Sequence, residues 1–99
     1  MKSFNERVWD KCKKIPKGKV STYGEIAKAI GSRDSSRAVG NALNKNPFAP
    51  QVPCHRVIQS NGSIGGFADG TNKKIKMLKT EGIEIKNNKI NLEKFLYKF

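Results

Sequence analysis

The chain has 99 residues, with 20 Lys and Arg against 8 Asp and Glu, which gives a net charge of +12. This length supports a single domain with one modest core, and residues 1–99 contain no repeat, low-complexity segment or linker. The basic residues are spread along the chain, which excludes a disordered basic tail and predicts an anionic partner, nucleic acid before others. A lysine-rich proteome is the alternative explanation for the charge.

The beginning of the chain predicts an amphipathic helix. Ser3 is placed to cap it, and Pro16 stops it after about Lys14. One apolar stripe recurs at helical spacing and consists of Phe4, Val8, Cys12 and Ile15, with Trp9 at its edge. Cys12 is therefore predicted to be a core residue, and buried thiols are usually inert.

Two short helices follow. Thr22 and Glu25 have the spacing of a capping box, which predicts a helix over 22–30 that Gly31 ends. The second helix is predicted from about Ser35 to Lys45, with Ser35 or Asp34 as its cap and Asn46-Pro47 closing it.

The second of these helices has two different faces. At 100° per residue its core face is predicted to be Ala38, Val39, Ala42 and Leu43. Its outward face carries Arg37, Gly40, Asn41 and Asn44, so another backbone can approach it closely. Residues 22–45 are therefore a helix-turn-helix candidate.

The rest of the chain predicts small β elements around one more helix. Asn61-Gly62 between residues 57–59 and 63–64 predicts a β-hairpin that would form a wing. Thr71 is predicted to cap a helix over 72–81 with Ile75 and Leu78 inward and Gly82 at its end. A terminal hairpin around Asn87-Asn88 precedes an amphipathic stretch in which Phe95, Leu96 and Phe99 are expected to pack. The predicted fold is mainly α with small β-hairpins: a three-helix, winged-helix-like domain.

Pro53-Cys54-His55-Arg56 is the stretch in which the chain is predicted to carry out chemistry. A cysteine beside cationic side chains can have its thiol pKa lowered from about 8.5, and the thiolate is the nucleophile. Neighbouring Cys54 and His55 point to different sides in a strand or a helix, so a bridging water is more natural than direct contact. Glu81 is one candidate among eight acids for orienting His55. A buried, structural Cys54 is the alternative interpretation.

No metal site is predicted, because His55 is the only histidine and no second ligand pair has a suitable spacing. Cys12 and Cys54 form neither a CxxC pair nor a disulfide framework. The sequence opens with no signal peptide and contains no apolar run of membrane-spanning length. We therefore expect a reducing intracellular compartment and no membrane association.

Pro53-Cys54-His55-Arg56-Val57 resembles the acceptor site of the O6-alkylguanine-DNA alkyltransferases, which repair DNA by a single, suicidal transfer. Residues 23–27 resemble the first helix-turn-helix segment of that family, and residues 37–43 resemble its recognition helix. Asn46-Pro47, 62–66 and 79–82 follow in the family order, so the resemblance covers roughly residues 3 to 83. Several collinear motifs make it specific.

The resemblance implies a helix-turn-helix that binds the minor groove of double-stranded DNA and flips the alkylated guanine out of the stack. Arg37 would fill the gap in the duplex, and Tyr23 would crowd the target phosphate and offer its hydroxyl to the guanine ring. The remaining expected DNA contacts are Ala38, Gly40, Asn41 and Ser60. A base pocket is expected at Val57, Phe67, Ala68 and Asp69.

The resemblance also implies the chemistry of the site. Cys54 would attack the alkyl carbon, His55 would take the thiol proton through water, and Glu81 would steady His55. Asn46 would tie the recognition helix to the active-site turn, while the carbonyls of Cys54 and Val57 would accept from the guanine amino group. No cofactor is expected, and the protein would act once, as a monomer, in the cytoplasm and nucleoid of a prokaryote or the nucleus of a eukaryote.

Three departures from the family pattern qualify these expectations. The common N-terminal domain is expected to be absent, so that the chain corresponds to the C-terminal domain alone. Phe67 and Asp69 alter the expected pocket wall. The short length resembles that of the alkyltransferase-like proteins, which bind the lesion without repairing it and replace the cysteine, whereas Cys54 is present here. A lesion-flagging protein and an ordinary helix-turn-helix regulator are the two alternative functions.

Overall fold

The computed structural model describes residues 2–48, 51–64 and 71–99, without the side chain of Thr71. Its helices are α1 (Phe4–Cys12), α2 (Tyr23–Ala29), α3 (Ser36–Asn44), α4 (Thr71–Thr80) and α5 (Leu92–Phe95). Strands β1 (Ser21–Thr22) and β2 (Val57–Ile58) and a 3₁₀ helix over Cys54–Arg56 complete the described elements. The predicted, mainly helical fold with a helix-turn-helix, here α2 and α3, is confirmed.

Local capping explains where the first helices begin. The Ser3 hydroxyl accepts from the Glu6 amide at 3.2 Å, and the Glu6 carboxylate accepts from the Ser3 amide at 3.2 Å. Thr22 caps α2 by accepting from the Glu25 amide at 3.0 Å. Ser35 occupies the N-cap position of α3, but its side chain makes no cap hydrogen bond, so only its predicted position is correct.

The buried apolar residues form two clusters that meet at β2. The first joins α1, α2 and α3 and includes Cys12, as predicted, together with Val57. The second contains Val20, Ile58, Ile64, Leu78, Ile83 and Ile90. Val57 and Ile58 belong to different clusters because successive residues of a strand face opposite sides. Ala38 is exposed, so its predicted place on the core face of α3 is wrong.

The strand pairing differs from the predicted wing. The turn at Asn61-Gly62 forms: the Gly62 amide donates to the Gln59 carbonyl at 2.9 Å, with Gly62 at φ +88°. The Gln59 amide also donates to the Ser63 carbonyl at 3.0 Å, so the two predicted arms meet next to the turn. However, β2 pairs in parallel with β1, in the register Ser21 to Val57 and Thr22 to Ile58, and Ser63 forms an antiparallel bridge with Lys89. An Asn-Gly pair specifies a turn locally but not the long-range partner of the segments on either side.

The C-terminal segment closes the second cluster. Asn87 and Asn88 have φ values of 52° and 60°, and the predicted turn forms between Lys86 and Lys89. After α5 the chain extends, and Leu96 bridges to Val20 in parallel. Phe99 is 39% exposed and contacts the Tyr97 ring edge-on, contrary to its expected packing. In the part of the chain that the structure describes, no helix has the length and apolar character needed to span a membrane.

Candidate functional site

Cys54 opens a tight 3₁₀ turn that follows Pro53. The Arg56 amide donates to the Pro53 carbonyl at 2.9 Å, and the Cys54 amide donates to the Val52 carbonyl at 2.8 Å. With three residues per turn, successive side chains diverge by about 120°. The Cys54 side chain is half-buried, whereas His55 is only 3% exposed. The two neighbours therefore point to different parts of the molecule, which disfavours direct thiol–imidazole contact.

His55 lies against a carboxylate from the end of α4. Its Nε2 is 3.1 Å from Glu81 Oε2, which selects Glu81 among the eight acids of the chain. Burial lowers the pKa of His55, and although Glu81 opposes this shift, the pKa stays below its ordinary value. The ring is thus neutral near pH 7. Because Nε2 faces an acceptor, we infer that it carries the proton and that Nδ1 keeps a lone pair.

Arg56 fixes the carboxylate that holds His55. Its Nε and Nη2 donate to the two oxygens of Glu81 at 2.9 and 2.6 Å, and its Nη1 donates to the Ile15 carbonyl at 2.9 Å. Burial opposes ionisation of Glu81, yet the hydrogen bonds from Arg56 and His55 leave its pKa below the ordinary value. The turn that carries Cys54 is thereby anchored both to α4 and to the end of the first helical segment.

Tyr23 begins α2 and lies near Cys54, in the 3₁₀ turn Cys54–Arg56. Burial, assisted by the nearby charge of Cys54, raises the pKa of its phenol, so the hydroxyl keeps its proton. A Cβ at Gly40 of α3 would meet the Tyr23 ring at 3.9 Å, an ordinary van der Waals distance. The packing inside the chain therefore does not require glycine at position 40.

Lys74 is a functional candidate that the sequence reasoning missed. It is 0% exposed, its Nζ donates to the Val57 carbonyl at 2.7 Å, and it lies 5.9 Å from the centroid of the Tyr23 ring. Burial lowers its pKa to about 8, although the Cys54 charge acts in the opposite direction. A search for apolar stripes ignores lysine. The signal that could have found Lys74 is its spacing of four residues from Leu78, which puts both residues on the same, inward face of α4.

Asn46 links the end of α3 to the segment that leads to Cys54. Its Nδ2 donates to the Val52 carbonyl at 2.8 Å, and its Oδ1 accepts from the Phe48 amide at 2.9 Å. Both ends of the amide are used within the chain. The contact joins the end of α3 to the segment before Cys54, and the role that the family resemblance implies for Asn46 stays a prediction.

The residues expected to contact DNA lie on the outside of the helix-turn-helix. Arg37, Ala38 and Asn41 of α3 are exposed. Ser60 is also exposed and lies against the first turn of α2, where a Cβ at Gly24 would come within 3.0 Å of its hydroxyl oxygen. Their DNA contacts stay predictions.

The expected base pocket is only partly described. The Val57 carbonyl already accepts from Lys74, and the Cys54 carbonyl accepts from the Val57 amide. Each carbonyl has a second lone pair, so both retain capacity for one further donor. Phe67, Ala68 and Asp69 lie outside the described residues. Among the residues that are described, no group of three or more His, Cys, Asp or Glu could hold a metal ion.

A helix-turn-helix with an exposed polar face, combined with a 3₁₀ turn in which a half-buried cysteine precedes a buried His–Glu pair, defines a class of cysteine-bearing helix-turn-helix domains. The sequence matches the family described as 6-O-methylguanine DNA methyltransferase, DNA binding domain, over residues 3–83. This chain belongs to that family.

Individual relatives agree with this assignment. A methylated-DNA–protein-cysteine methyltransferase of Methanosarcina acetivorans is 54% identical over 79 residues, which are 80% of this chain and 51% of the relative. The structure of Mycobacterium tuberculosis OGT in complex with DNA has a TM-score of 0.78 at 44% identity, covering 82% of this chain and 50% of that one.

Similarity over the whole length is found with the S. pombe Atl structures. S. pombe Atl1, in complex with damaged DNA containing O6-carboxymethylguanine, has a TM-score of 0.88 at 37% identity and covers 100% of both chains. By contrast, the chain spans about half the length of the curated methyltransferases that it matches.

Proposed function

We propose that this protein repairs DNA by transferring the alkyl group of O6-alkylguanine to Cys54. The observation that carries the proposal is that a half-buried cysteine is followed, in the same 3₁₀ turn, by a buried histidine whose Nε2 lies 3.1 Å from Glu81 Oε2. An inert structural cysteine needs no neutral histidine with a clamped carboxylate next to it in the chain. A nucleophile with a general base and an orienting acid has this arrangement.

The proposed substrate complex places the exposed face of α3 in the minor groove of double-stranded DNA. The net charge of +12 favours binding to the phosphate backbone. Since glycine at position 40 is not required by packing inside the chain, we attribute it to a close approach of the DNA backbone. Arg37 then fills the space of the extruded guanine, and contacts to the flipped base offset a cost of a few kcal/mol.

The transfer is a single displacement in which no atom changes its oxidation state overall. The Cys54 sulfur forms a bond to the alkyl carbon while the bond from that carbon to guanine O6 breaks, and the electron pair stays on the guanine. The thiol proton passes through a water to Nδ1 of His55, whose Nε2 stays bonded to Glu81. The guanine, released with that electron pair, takes up one proton from solvent while His55 returns the thiol proton to solvent, and the stable thioether ends the activity after one turnover.

Tyr23 and Lys74 support the leaving group in this mechanism. The pKa of Tyr23 is raised by burial, so its protonated hydroxyl is available as a donor to the guanine ring. Lys74 holds the Val57 carbonyl and lies beside Tyr23, where a positive charge stabilises negative charge that develops on the base.

The test is incubation of the protein with a duplex that contains O6-methylguanine, followed by peptide mass spectrometry. We expect one methyl group on Cys54, and we expect the O6-methylguanine in the DNA to be converted to guanine. Cys12 is an internal control in the same digest, because it is fully buried and should carry no methyl group. A methylated Cys12 with an unmodified Cys54, or methyl on neither cysteine, contradicts the proposal.

A second function is favoured by one observation, the whole-length similarity to S. pombe Atl1. In this alternative the protein binds the lesion and flags it for another repair pathway without repairing it. Tight binding to the O6-methylguanine duplex, with the DNA still methylated and Cys54 unmodified after prolonged incubation, would establish this alternative in place of transfer.

A further inference from the structure

The segment after the matched family region forms a basic groove of its own. The family match ends at residue 83, and residues 84–99 contain four lysines and two glutamates. Lys86, Lys89 and Lys94 line a cavity of about 320 Å³ together with Asn91, and Phe95 also contributes to its wall. Glu84 also lines this cavity and is paired with Lys86 at 3.2 Å. We call these residues the C-terminal lysine groove.

This groove is built on ordered backbone. The Val20 amide donates to the Phe95 carbonyl at 3.0 Å, and the Tyr97 amide donates to the Val20 carbonyl at 2.7 Å. Ile90 is buried in the second core cluster, with Leu92 and Phe95 packed against it. The backbone that carries the exposed lysines is therefore held at a defined position next to β1, unlike that of a flexible basic tail.

The groove is attached to the turn that carries Ser60. The Ile90 amide donates to the Gly62 carbonyl at 2.9 Å, and Lys89 bridges to Ser63. The contact is so close that a Cβ at Gly62 would lie 2.8 Å from the Ile90 carbonyl oxygen. Ser60 itself lies against Gly24 at the first turn of α2. A continuous path of contacts thus runs from the helix-turn-helix to the groove.

We propose that the C-terminal lysine groove binds phosphates of the same DNA duplex, beyond the contacts of the helix-turn-helix. Ammonium groups and an asparagine amide are donors suited to phosphate oxygens, and they carry no base specificity. The inference rests on the proposed function in that it takes duplex DNA as the ligand. It extends the DNA footprint to a segment outside the family region.

The experiment compares two variants with the same loss of charge. Lys86→Gln/Lys89→Gln/Lys94→Gln removes the groove lysines, and Lys2→Gln/Lys11→Gln/Lys14→Gln removes the three lysines that line a separate cavity beside α1 and the end of α2. Each triple variant lowers the net charge from +12 by three. Binding to O6-methylguanine duplex and to unmodified duplex is measured from low to moderate salt.

We expect the groove variant to bind both duplexes more weakly by the same factor, and the slope of log Kd against log salt to fall by about 2 to 3. The α1 variant should keep nearly the wild-type slope. Equal slopes for the two variants would overturn the proposal, since the effect would then reflect overall charge alone. Thermal melting checks folding, and the double variant Lys86→Gln/Lys89→Gln, which leaves the Lys94–Phe95 contact intact, repeats the comparison with a slope change of about 2.

The same titration separates this proposal from the proposed function. Salt slopes report phosphate contacts whether or not Cys54 accepts a methyl group. If the variants show the expected difference in salt slopes but the wild-type protein leaves the DNA methylated, the groove proposal stands and the transfer proposal is rejected. If the wild-type protein transfers the methyl group but the two triple variants have equal slopes, the transfer proposal stands and the groove proposal is rejected.

Discussion

The two cysteines of this protein touch the same core cluster but have opposite chemical surroundings. Cys12 is 0% exposed on α1, and burial is the main cause that raises the pKa of its thiol. Cys54 is half-buried at the start of the 3₁₀ helix, and the next residue is a buried histidine held by a clamped carboxylate. Solvent access and a positioned base, rather than residue type, distinguish a nucleophile from a core side chain.

Arg56 acts on the surroundings of both cysteines. Arg56 clamps Glu81 behind the Cys54 turn, and its positive charge lowers the pKa of Cys12 against the larger effect of burial. It further bonds the Ile15 carbonyl, three residues after Cys12. The turn that carries Cys54 is therefore built directly on the part of the core that buries Cys12.

The largest expected effect comes from removing the half-buried thiol of Cys54. Cys54→Ala should abolish methyl transfer, a loss of at least about 10³-fold, because it removes the proposed nucleophile while the other thiol, Cys12, is fully buried. Binding to the lesion duplex should persist, since the α3 face is unchanged. Single-turnover assays with labelled O6-methylguanine DNA measure the transfer. Methyl transfer to Cys12 in this variant would contradict the proposed chemical difference between the two cysteines.

The second effect concerns the base behind Cys54. Glu81→Gln should slow transfer by about 10²–10⁴-fold, since the amide neither holds His55 nor neutralises Arg56 as a carboxylate does. Glu93→Gln, on an exposed acid of α5, is the control with the same change of charge and should transfer at the wild-type rate.

The pH profile gives this prediction a sharper readout. Because the pKa of His55 lies below its ordinary value, wild-type transfer should stay constant down to below about pH 6.5 and fall only when the ring becomes protonated. Glu81 raises the pKa of His55 against the effect of burial, so Glu81→Gln should move the inflection to a still lower pH. An inflection that moves toward higher pH contradicts this assignment.

The third effect tests the buried cation near Cys54. The folded pKa of Lys74 is about 8, below 10.5, so the unfolded chain binds more protons between these values and wild-type stability should rise with pH across that window. The rise amounts to about 3 kcal/mol at most. Lys74→Met should remove it while slowing transfer.

Urea denaturation at pH 7 and near pH 10 measures this difference, with Lys76→Met, on an exposed lysine of the same helix, as the control. The control should retain both the pH-dependent rise and the transfer rate. If the stability of Lys74→Met still rises with pH as in the wild type, burial of the Lys74 charge is not the cause of that rise.

The smallest effect belongs to the buried thiol. Cys12→Ala should lower the free energy of unfolding by about 1–2 kcal/mol through the small cavity it leaves, with the transfer rate unchanged. Denaturation and transfer are measured on the same preparation. A slowed transfer at unchanged stability would mean that Cys12 takes part in the chemistry and that the contrast between the cysteines is wrong.

Local patterns predicted much of this molecule because their causes lie within a few residues. The caps at Ser3 and Thr22, the turns at Asn61-Gly62 and Asn87-Asn88, and the buried position of Cys12 all follow from short-range spacing. The predicted hairpin is confirmed only next to its turn, between Gln59 and Ser63, for the complementary reason. The partner of β2 is β1, more than thirty residues earlier in the chain, and no pattern around the Asn-Gly turn encodes that pairing.

The sequence by itself determined that Cys54 stands in a cationic, histidine-bearing motif and that α3 presents an arginine and a glycine outward. Only the tertiary structure decided which of eight acids reaches His55, that Arg56 clamps this acid, and that Lys74 is buried beside Tyr23. The physical reason is distance along the chain. Glu81 and Lys74 reach the segment around Cys54–Arg56 through the packing of α4, and that packing depends on the whole second cluster.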